Sequence, residues 1–247
     1  MSQTVFRAMQ IMESLSERPH SLGEISIELD VHKSTALRLL QTLEAGGFVR
    51  RDDKGLYDIG FRVMTMSEQA RNRLDIYRAG HDVLMELSNE LGHTLHLAQL
   101  IGFEVPYVDK VDGKGSVKMY SRIGRTAVIH TSGVGKAILA GLEEPLRSEV
   151  LARVDYKKYT EQTITSESAL LAELAVIAER GWAEDNGEFE SEINCVAVPI
   201  KDGRGIVRAA LSLTAVRALA PLPVLREGIP RLLQAAEMIS SRHQWTS

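Results

Sequence analysis

The chain has 247 residues, of which 44% are hydrophobic, 25% charged and 5% aromatic, and its formal net charge is −4. This composition is typical of a soluble globular protein with one large or two small domains, and it excludes collagen, coiled-coil rods and disordered chains. Charges interrupt every apolar run before it reaches the about 18 to 20 residues of a membrane helix. The N-terminal residues MSQTVFRAMQ lack the features of a signal peptide. We therefore expect a cytoplasmic protein, and a single cysteine, Cys195, agrees with a reducing compartment.

Three short helices are predicted at the N-terminus. The second, over about residues 22–30, begins at a capping box of Ser21 and Glu24. The third runs over about residues 33–45, and the Gly46-Gly47 pair ends it. The first is predicted from apolar residues at helical spacing. These residues are Val5, Met9, Met12 and Leu15.

A hairpin and two further helices follow. Residues 48–51 and 56–59 are predicted strands, because Gly55 between them supplies the positive φ that a short hairpin needs. Helical patterns then cover residues 61–72 and 74–91.

The periodicity changes after residue 91. Strands are predicted at residues 94–101, 105–111, 116–120, 193–200 and 206–214. Helices are predicted at about 133–142, 145–153, 168–180 and 222–242. Strands and helices mixed in this order favour an α+β domain with an antiparallel sheet.

The third predicted helix has one apolar and one polar face. Its apolar residues fall within an arc of about 160° on an ideal helix, and the opposite side carries hydroxyl, guanidinium and amide groups. Arg pairs with guanine, Gln pairs with adenine, and Ser and Thr bind bases or phosphates, so this face suits a major groove. The alternative is the ordinary polar face of a surface helix.

The neighbours of this helix favour the DNA interpretation. It is the second member of a helix-turn-helix, and a hairpin with basic residues follows it directly, as in a winged helix. We therefore predict contacts with double-stranded operator DNA. The predicted contact residues are Lys33, Ser34, Thr35, Arg38, Gln41, Thr42, Arg51 and Lys54.

The acidic net charge does not exclude DNA. Residues 1–30 carry 2 cations and 5 acids, whereas residues 31–60 carry 5 cations and 4 acids. The cations therefore lie on the predicted recognition helix and hairpin, which predicts weak nonspecific binding and dependence on base contacts and multiple subunits.

Long segments of the chain resemble one family. Residues 5–60, with KSTALRLLQTLEAGGFVRRDDKGLYDIG at their core, are similar to the winged helix-turn-helix of the IclR family of bacterial transcription regulators. The resemblance continues through HTSGVGKAILAGL and GWAEDNGEFESEINCVAVPIKD. In the last segment the family's spaced Gly, Asp, Glu and Cys match Gly181, Asp185, Glu188 and Cys195, whereas Lys201 departs from the aromatic residue or His that the family often has there.

The resemblance implies three parts. We expect a winged helix-turn-helix domain over residues 1–60, a linker helix over 61–74, and a GAF-like effector-binding and oligomerisation domain with a curved antiparallel sheet over 75–247. It implies a homodimer, or a tetramer as a dimer of dimers, that represses an adjacent catabolic operon in response to a small-molecule effector. We expect no enzymatic activity, no cofactor, no metal and no membrane partner.

Two segments of the second domain carry polar groups suited to an effector. Residues 132–136 open a predicted helix, so free backbone amides and the helix dipole favour a carboxylate there. They do not form a phosphate-binding P-loop, because His130 and Ala137 occupy the positions of its first Gly and its Ser or Thr. Ser212 and Thr214 alternate with leucines along a strand, so both hydroxyls face one side.

The effector positions of the family can be carried over to this chain. They supply amides for an anion, two hydroxyls, one thiol and one acid, which indicates a small organic acid or a related metabolite. The matching residues are Met119, Ala127, Gly133, Val134, Asp185, Cys195, Ser212 and Thr214.

The sequence leaves two other functions open, nucleophilic catalysis and metal binding. A sensor or enzyme whose N-terminal domain binds protein could use Cys195 as a nucleophile with His130 as base, but nothing in the sequence sets the two side by side. His93 and His96 could share a metal ion, but their odd spacing along a strand directs them to opposite faces.

Overall fold

The computed structural model describes residues 2–114, 119 and 121–242. The chain divides into two units, Met1–Arg73 and Leu74–Ser247. Within the described ranges, no helix combines the length and the apolar character needed to cross a membrane.

The N-terminal unit contains the predicted three helices and the hairpin, followed by a fourth helix. Its elements are α1 (Gln3–Glu17), α2 (Leu22–Glu28), α3 (Lys33–Ala45), β1 (Val49–Arg51), β2 (Tyr57–Ile59) and α4 (Phe61–Asn72). The two strands pair antiparallel.

The core of this unit joins α1, α2, α3 and the hairpin. Its fully buried members include Ile11, Leu15, Ile25, Ala36, Leu40, Val49 and Tyr57. Two of the apolar residues whose spacing predicted α1 lie outside this core, because Val5 and Met9 are 59% and 56% exposed. Spacing alone could not choose between two apolar stripes on one helix, and Ile11 lies on the stripe that packs inward.

The hairpin turn is held by one carboxylate. Asp52 Oδ1 accepts hydrogen bonds from the backbone N–H of Lys54 at 3.0 Å and of Leu56 at 2.8 Å. Gly55 has φ +82°, the left-handed conformation that the sequence predicted for this position. The capping box of Ser21 and Glu24 is also present at the start of α2.

The C-terminal unit is an antiparallel sheet with helices on both faces. Its elements are α5 (Asp75–Leu91), β3 (Thr94–Gln99), β4 (Tyr107–Val111), α6 (Gly133–Ala140), α7 (Leu146–Leu151), α8 (Glu167–Arg180), β5 (Ala183–Asn186), β6 (Ile193–Lys201), β7 (Val207–Val216), α9 (Leu222–Glu227) and α10 (Ile229–Arg242). The strand order is β4-β3-β7-β6-β5, and every neighbouring pair is antiparallel.

The α+β fold expected from the sequence is thus confirmed. The predicted helix over residues 222–242 is instead two helices, α9 and α10, divided at Gly228. A Cβ at Gly228 would lie 2.9 Å from Leu213 Cδ2, so the chain passes close to the sheet at this break. The strand predicted over residues 116–120 lies outside the described residues, except for Met119, which is not in a strand.

Each central strand contributes side chains to two hydrophobic cores, one on each face of the sheet. On β3, Leu95 and Leu97 pack in the cluster that includes α5 and α10, whereas Ala98 packs in the cluster that includes α6 and α8. On β7, Leu211 and Leu213 likewise face α5 and α10. Because successive side chains of a strand point to opposite faces, the residues between these leucines point towards α6. That second face carries the polar groups described below.

A buried ion pair joins α6 to the loop after β5. Lys136 Nζ donates a hydrogen bond to Glu188 Oε1, and the two side chains are only 1% and 8% exposed. The backbone carbonyl of Glu188 also accepts a hydrogen bond from Thr163 Oγ1 at 2.6 Å. Lys136, which the sequence excluded as part of a P-loop, is a buried partner of the family-matched Glu188.

Replacing one member of the Lys136–Glu188 pair should lower the free energy of unfolding more than replacing both. We expect Lys136→Met to lower the free energy of unfolding by about 3 to 5 kcal/mol, because it leaves a buried carboxylate without a counter-ion. The double variant Lys136→Met, Glu188→Met should recover most of the loss. Urea unfolding of the two variants measures the difference.

The exposed pair of Lys158 and Glu161 provides the control. Lys158→Met should leave the unfolding midpoint almost unchanged, because exposed ion pairs contribute little. Equal losses in the single and double variants of the buried pair would show that the pair contributes only by packing.

Candidate functional site

A cavity of about 290 Å³ lies between the sheet face that points to α6 and the beginning of α6. All eight effector residues predicted from the sequence line it. They are Met119, Ala127, Gly133, Val134, Asp185, Cys195, Ser212 and Thr214.

Strand register brings the polar residues of the sheet wall together. Asp185 on β5 is paired with Cys195 on β6, and Cys195 is paired in turn with Thr214 on β7. Ser212, two residues earlier on β7, is paired with His96 on β3. The strands thus place an acid, a thiol, two hydroxyls and an imidazole side by side on one face.

The beginning of α6 forms the opposite wall. Ser132 caps this helix, and its Oγ accepts a hydrogen bond from the N–H of Gly135 at 3.2 Å. The N–H groups of Gly133 and Val134, in the first turn, have no acceptor within an α-helix. A Cβ at Gly133 would lie 3.0 Å from Cys195 Sγ, so the absence of a side chain lets the helix approach the sheet closely. Two amide donors and the positive end of the helix dipole therefore face the cavity.

Asp185 is partly protonated near neutral pH. Burial raises its pKa to about 7, and the nearby Glu188 carboxylate adds to this rise. The N–H of Glu188, which donates to Asp185 Oδ1 at 2.7 Å, and the Lys136 ammonium oppose it. A carboxyl group that is partly protonated at pH 7 can donate a hydrogen bond to an anion.

Cys195 is a poor candidate nucleophile. Burial raises the pKa of its thiol to about 12, so the thiolate is scarce at neutral pH. His130 lines a separate groove, with its Nε2 3.1 Å from the carbonyl oxygen of Lys157. The structure therefore does not bring the proposed nucleophile and base to one cavity.

His96 belongs to the cavity wall, which the sequence did not predict. Its Nε2 lies 2.7 Å from Ser121 Oγ, and its Nδ1 lies 3.4 Å from Ser212 Oγ and 3.3 Å from Thr214 Oγ1. Burial lowers its pKa to about 3, so the ring is neutral. His93 precedes β3 and does not line the cavity. The described residues contain no cluster of His, Cys, Asp and Glu suited to a metal ion.

Further polar groups line the cavity from irregular segments. Arg125 lies on the loop before α6 and Glu190 on the loop after β5. Burial raises the pKa of Glu190, and the Arg125 guanidinium opposes that rise. Burial also raises the pKa of Tyr107, which therefore remains a phenol. The sequence did not predict Arg125, Glu190 or Tyr107 as cavity residues, and only Tyr107 lies on a predicted strand.

A second polar surface lies on α3 of the N-terminal unit. Lys33, Ser34, Arg38 and Gln41 are exposed, and Thr35 is half-buried. Thr42 is exposed as well, but its hydroxyl donates to the carbonyl of Arg38 within the helix at 2.8 Å.

The hairpin, which follows α3 in the sequence, also carries basic side chains. Lys54 is exposed at the turn. The Arg51 guanidinium lies 5.4 Å from the ring centroid of Tyr57, and its Nε donates to Gly55 O at 3.4 Å. Arg50 forms an ion pair with Asp58. Lys54 is thus the best-placed hairpin cation for contact with a phosphate.

Family models match both units. The helix-turn-helix domain of IclR matches residues 4–53, and the C-terminal domain of the bacterial transcriptional regulator IclR matches residues 68–241. The chain is 33% identical over 241 residues to the transcriptional regulator KdgR of Escherichia coli, covering 97% of this chain and 92% of KdgR. It is 35% identical over 215 residues to XynR of the same organism, covering 86% and 85%.

Solved structures show the same fold. The crystal structure of the Thermotoga maritima IclR superimposes with a TM-score of 0.84 at 33% identity, covering 98% of this chain and 99% of that one. An IclR homologue from Microbacterium hydrocarbonoxydans, crystallised with 4-hydroxybenzoate, superimposes with a TM-score of 0.82 at 21% identity, covering 98% and 99%. The matched relatives are named regulators rather than enzymes. The chain therefore belongs to the IclR family of bacterial transcriptional regulators.

Proposed function

We propose that this regulator represses transcription by binding an operator through α3 and the hairpin, and that a small organic acid in the cavity of the C-terminal unit changes its operator affinity. The observation that supports ligand binding is that the Gly133 and Val134 amides and the hydroxyls of the sheet wall line the same cavity. The family match and the polar face of α3 support DNA binding.

The chemistry of the cavity favours an anion that is also a hydrogen-bond acceptor. The first-turn amides of α6 provide donors and a positive dipole end for a carboxylate. Ser212 and Thr214 provide hydroxyls on the facing wall. A protonated Asp185 adds a donor and avoids repulsion of the ligand, which fits the raised pKa of that residue. The homologue crystallised with 4-hydroxybenzoate supports a carboxylate in this fold.

On DNA, α3 would enter the major groove. Arg38 and Gln41 lie on its exposed face and can read base edges, whereas Lys33 and Ser34 at its beginning suit phosphate oxygens. Lys54 would contact the backbone from the hairpin. Two copies would bind the halves of a partly palindromic operator, as helix-turn-helix dimers do.

Exposed apolar side chains support self-association. Two helices of the N-terminal unit, α1 and α4, each present three of them. They are Val5, Phe6, Met9, Phe61, Met64 and Met66. Such residues on a surface indicate an interaction site, and we propose homodimers that can pair into tetramers. Because the operator lies in the bacterial cytoplasm, that is where the protein would work.

Arg38→Ala should weaken operator binding by about 1 to 3 kcal/mol and relax base preference, because it removes a base-edge contact. Lys54→Ala should weaken binding to all sequences similarly and reduce the salt dependence, because it removes a phosphate contact. Mobility-shift titrations at several salt concentrations separate the two effects.

Lys158→Ala is the matched control for these DNA variants, since it removes one exposed cation from the C-terminal unit. It should bind the operator as the wild type does. An Arg38→Ala variant with unchanged operator affinity would contradict the recognition-helix assignment.

Ser212→Ala should abolish the response of operator binding to the acid and leave operator affinity without ligand unchanged. The reason is that the hydroxyl lies in the cavity wall and not in the N-terminal unit. Ser168→Ala, an exposed hydroxyl at the beginning of α8, is the control. A normal response in Ser212→Ala and in Asp185→Ala would place the ligand elsewhere.

The free energy of unfolding should change with pH as Asp185 loses its proton. Folding raises the pKa of Asp185 to about 7. The stability that its protonated carboxyl group contributes is therefore fully present below the unfolded pKa and is lost as pH rises through 7. Asp185→Asn keeps a neutral side chain, so its stability advantage over the wild type should grow by about 2 to 3 kcal/mol between pH 5 and pH 8.

Chemical unfolding at four or five pH values measures this difference. Asp82→Asn, at an exposed position of α5, should follow the wild-type pH profile and serves as control. Parallel profiles for wild type and Asp185→Asn would show that the carboxylate is ionised throughout.

A further inference from the structure

His96 connects three hydroxyl groups around the cavity. The ring is buried in the sheet face that points to α6, and Tyr107 packs against it with ring centroids 5.0 Å apart. One ring nitrogen lies near Ser121, on the loop that precedes α6, and the other lies between Ser212 and Thr214 on β7. All three hydroxyl residues line the cavity.

A neutral imidazole has one N–H donor and one acceptor nitrogen, so two arrangements are available. If Nδ1 is the acceptor, Ser212 or Thr214 donates its hydrogen bond to the ring, and only the other hydroxyl can donate to a ligand. If Nδ1 carries the proton, it donates to both hydroxyl oxygens, and both hydroxyl protons are available to a ligand or to the neighbouring Cys195 Sγ. The position of one proton therefore decides whether one or both hydroxyls of this wall can donate to a ligand.

The distances favour the second arrangement. The 2.7 Å separation of Ser121 Oγ and His96 Nε2 lies at the short end of the range for an N–H donor, about 2.7 to 3.2 Å, and at the most common distance for a hydroxyl donor. Ser121 then donates to Nε2, which leaves the proton on Nδ1. The nearly equal distances of 3.4 and 3.3 Å from Nδ1 to Ser212 Oγ and Thr214 Oγ1 fit a single N–H shared between two acceptors.

We propose that His96 is a specificity-determining residue of the cavity: held as the Nδ1–H tautomer by Ser121, it turns the hydroxyl protons of Ser212 and Thr214 towards the ligand and so selects a ligand that presents a carboxylate or carbonyl oxygen to this wall. This inference rests on the proposed function, because it concerns the same cavity. His96 acts through the two hydroxyls and is a positioning residue.

The arrangement discriminates against ligands with N–H groups at this wall. A ligand N–H facing Ser212 and Thr214 can use only the lone pair that Nδ1–H leaves free and gives the hydroxyl protons no acceptor, whereas a ligand oxygen accepts those protons. Arg125, Glu190 and Tyr107 also line the cavity, and Tyr107 packs against the His96 ring.

The first experiment tests the tautomer without any ligand. Imidazole ¹⁵N spectra of the protein labelled at histidine distinguish the two neutral forms. We expect the His96 resonances of the Nδ1–H form at pH 7, and a shift towards the Nε2–H form in Ser121→Ala. Resonances of the Nε2–H form in the wild type would overturn the proposal.

The second experiment uses two variants that each retain one side of the ring. The side-chain amide nitrogen of His96→Asn can replace Nδ1 and donate to Ser212 and Thr214, whereas the side-chain amide oxygen of His96→Gln can replace Nε2 and accept from Ser121. The probes are 4-hydroxybenzoate with 4-hydroxybenzamide, and D-gluconate with D-gluconamide. Calorimetry gives the ratio of acid to amide affinity for each pair.

We expect His96→Gln to reduce that ratio about 10- to 100-fold, the value of a hydrogen bond to a charged group. His96→Asn should keep the ratio close to that of the wild type, and His93→Asn, outside the cavity wall, is the control. Equal ratios in the wild type and both variants would overturn the specificity role. A wild type that binds neither acid, and whose operator binding no organic acid alters, would instead refute the proposed function, while the ¹⁵N spectra still decide the tautomer.

Discussion

The alternation of side chains along β3, β6 and β7 is the constraint on which the C-terminal unit depends. Leu95, Leu97, Leu211 and Leu213 fill one core, so the residues between them must face the other side of the sheet. Helices cover both sides, and the polar residues between the leucines are therefore buried as well. Buried polar groups need hydrogen-bond partners. His96, Ser212 and Thr214 supply such partners to one another, and all three line the cavity.

The approach of α6 encloses a cavity against this polar face. Gly133 lets the first turn of the helix lie against Cys195, and the Lys136–Glu188 pair ties the same helix to the loop after β5. That loop also carries Glu190 into the cavity wall. Amide donors, the sheet hydroxyls and Asp185 thus surround one volume. A ligand that binds there and favours one state of the protein must change operator affinity, and the operator must change ligand affinity equally.

Much of this could be predicted from the sequence. Spacing identified α3 and the hairpin, and the period of two placed Ser212 and Thr214 on one face. Other features depend on packing that no local pattern records. Lys136 is paired with a residue 52 positions away, and Arg125 and Glu190 lie on irregular loops without periodicity. The spacing of apolar residues in α1 does not show which of its two apolar stripes packs inward. His96 was considered as a metal ligand, although its register with Ser212 explains its position in the cavity wall.

The most direct test of this account follows the amide resonances of Gly133 and Val134 during titration with an organic acid that alters operator binding. The account predicts saturable shifts of these two amides, with the midpoint equal to that of the operator response, and much smaller shifts with the neutral amide of the same acid. Unchanged Gly133 and Val134 resonances at an acid concentration that fully alters operator binding would contradict it.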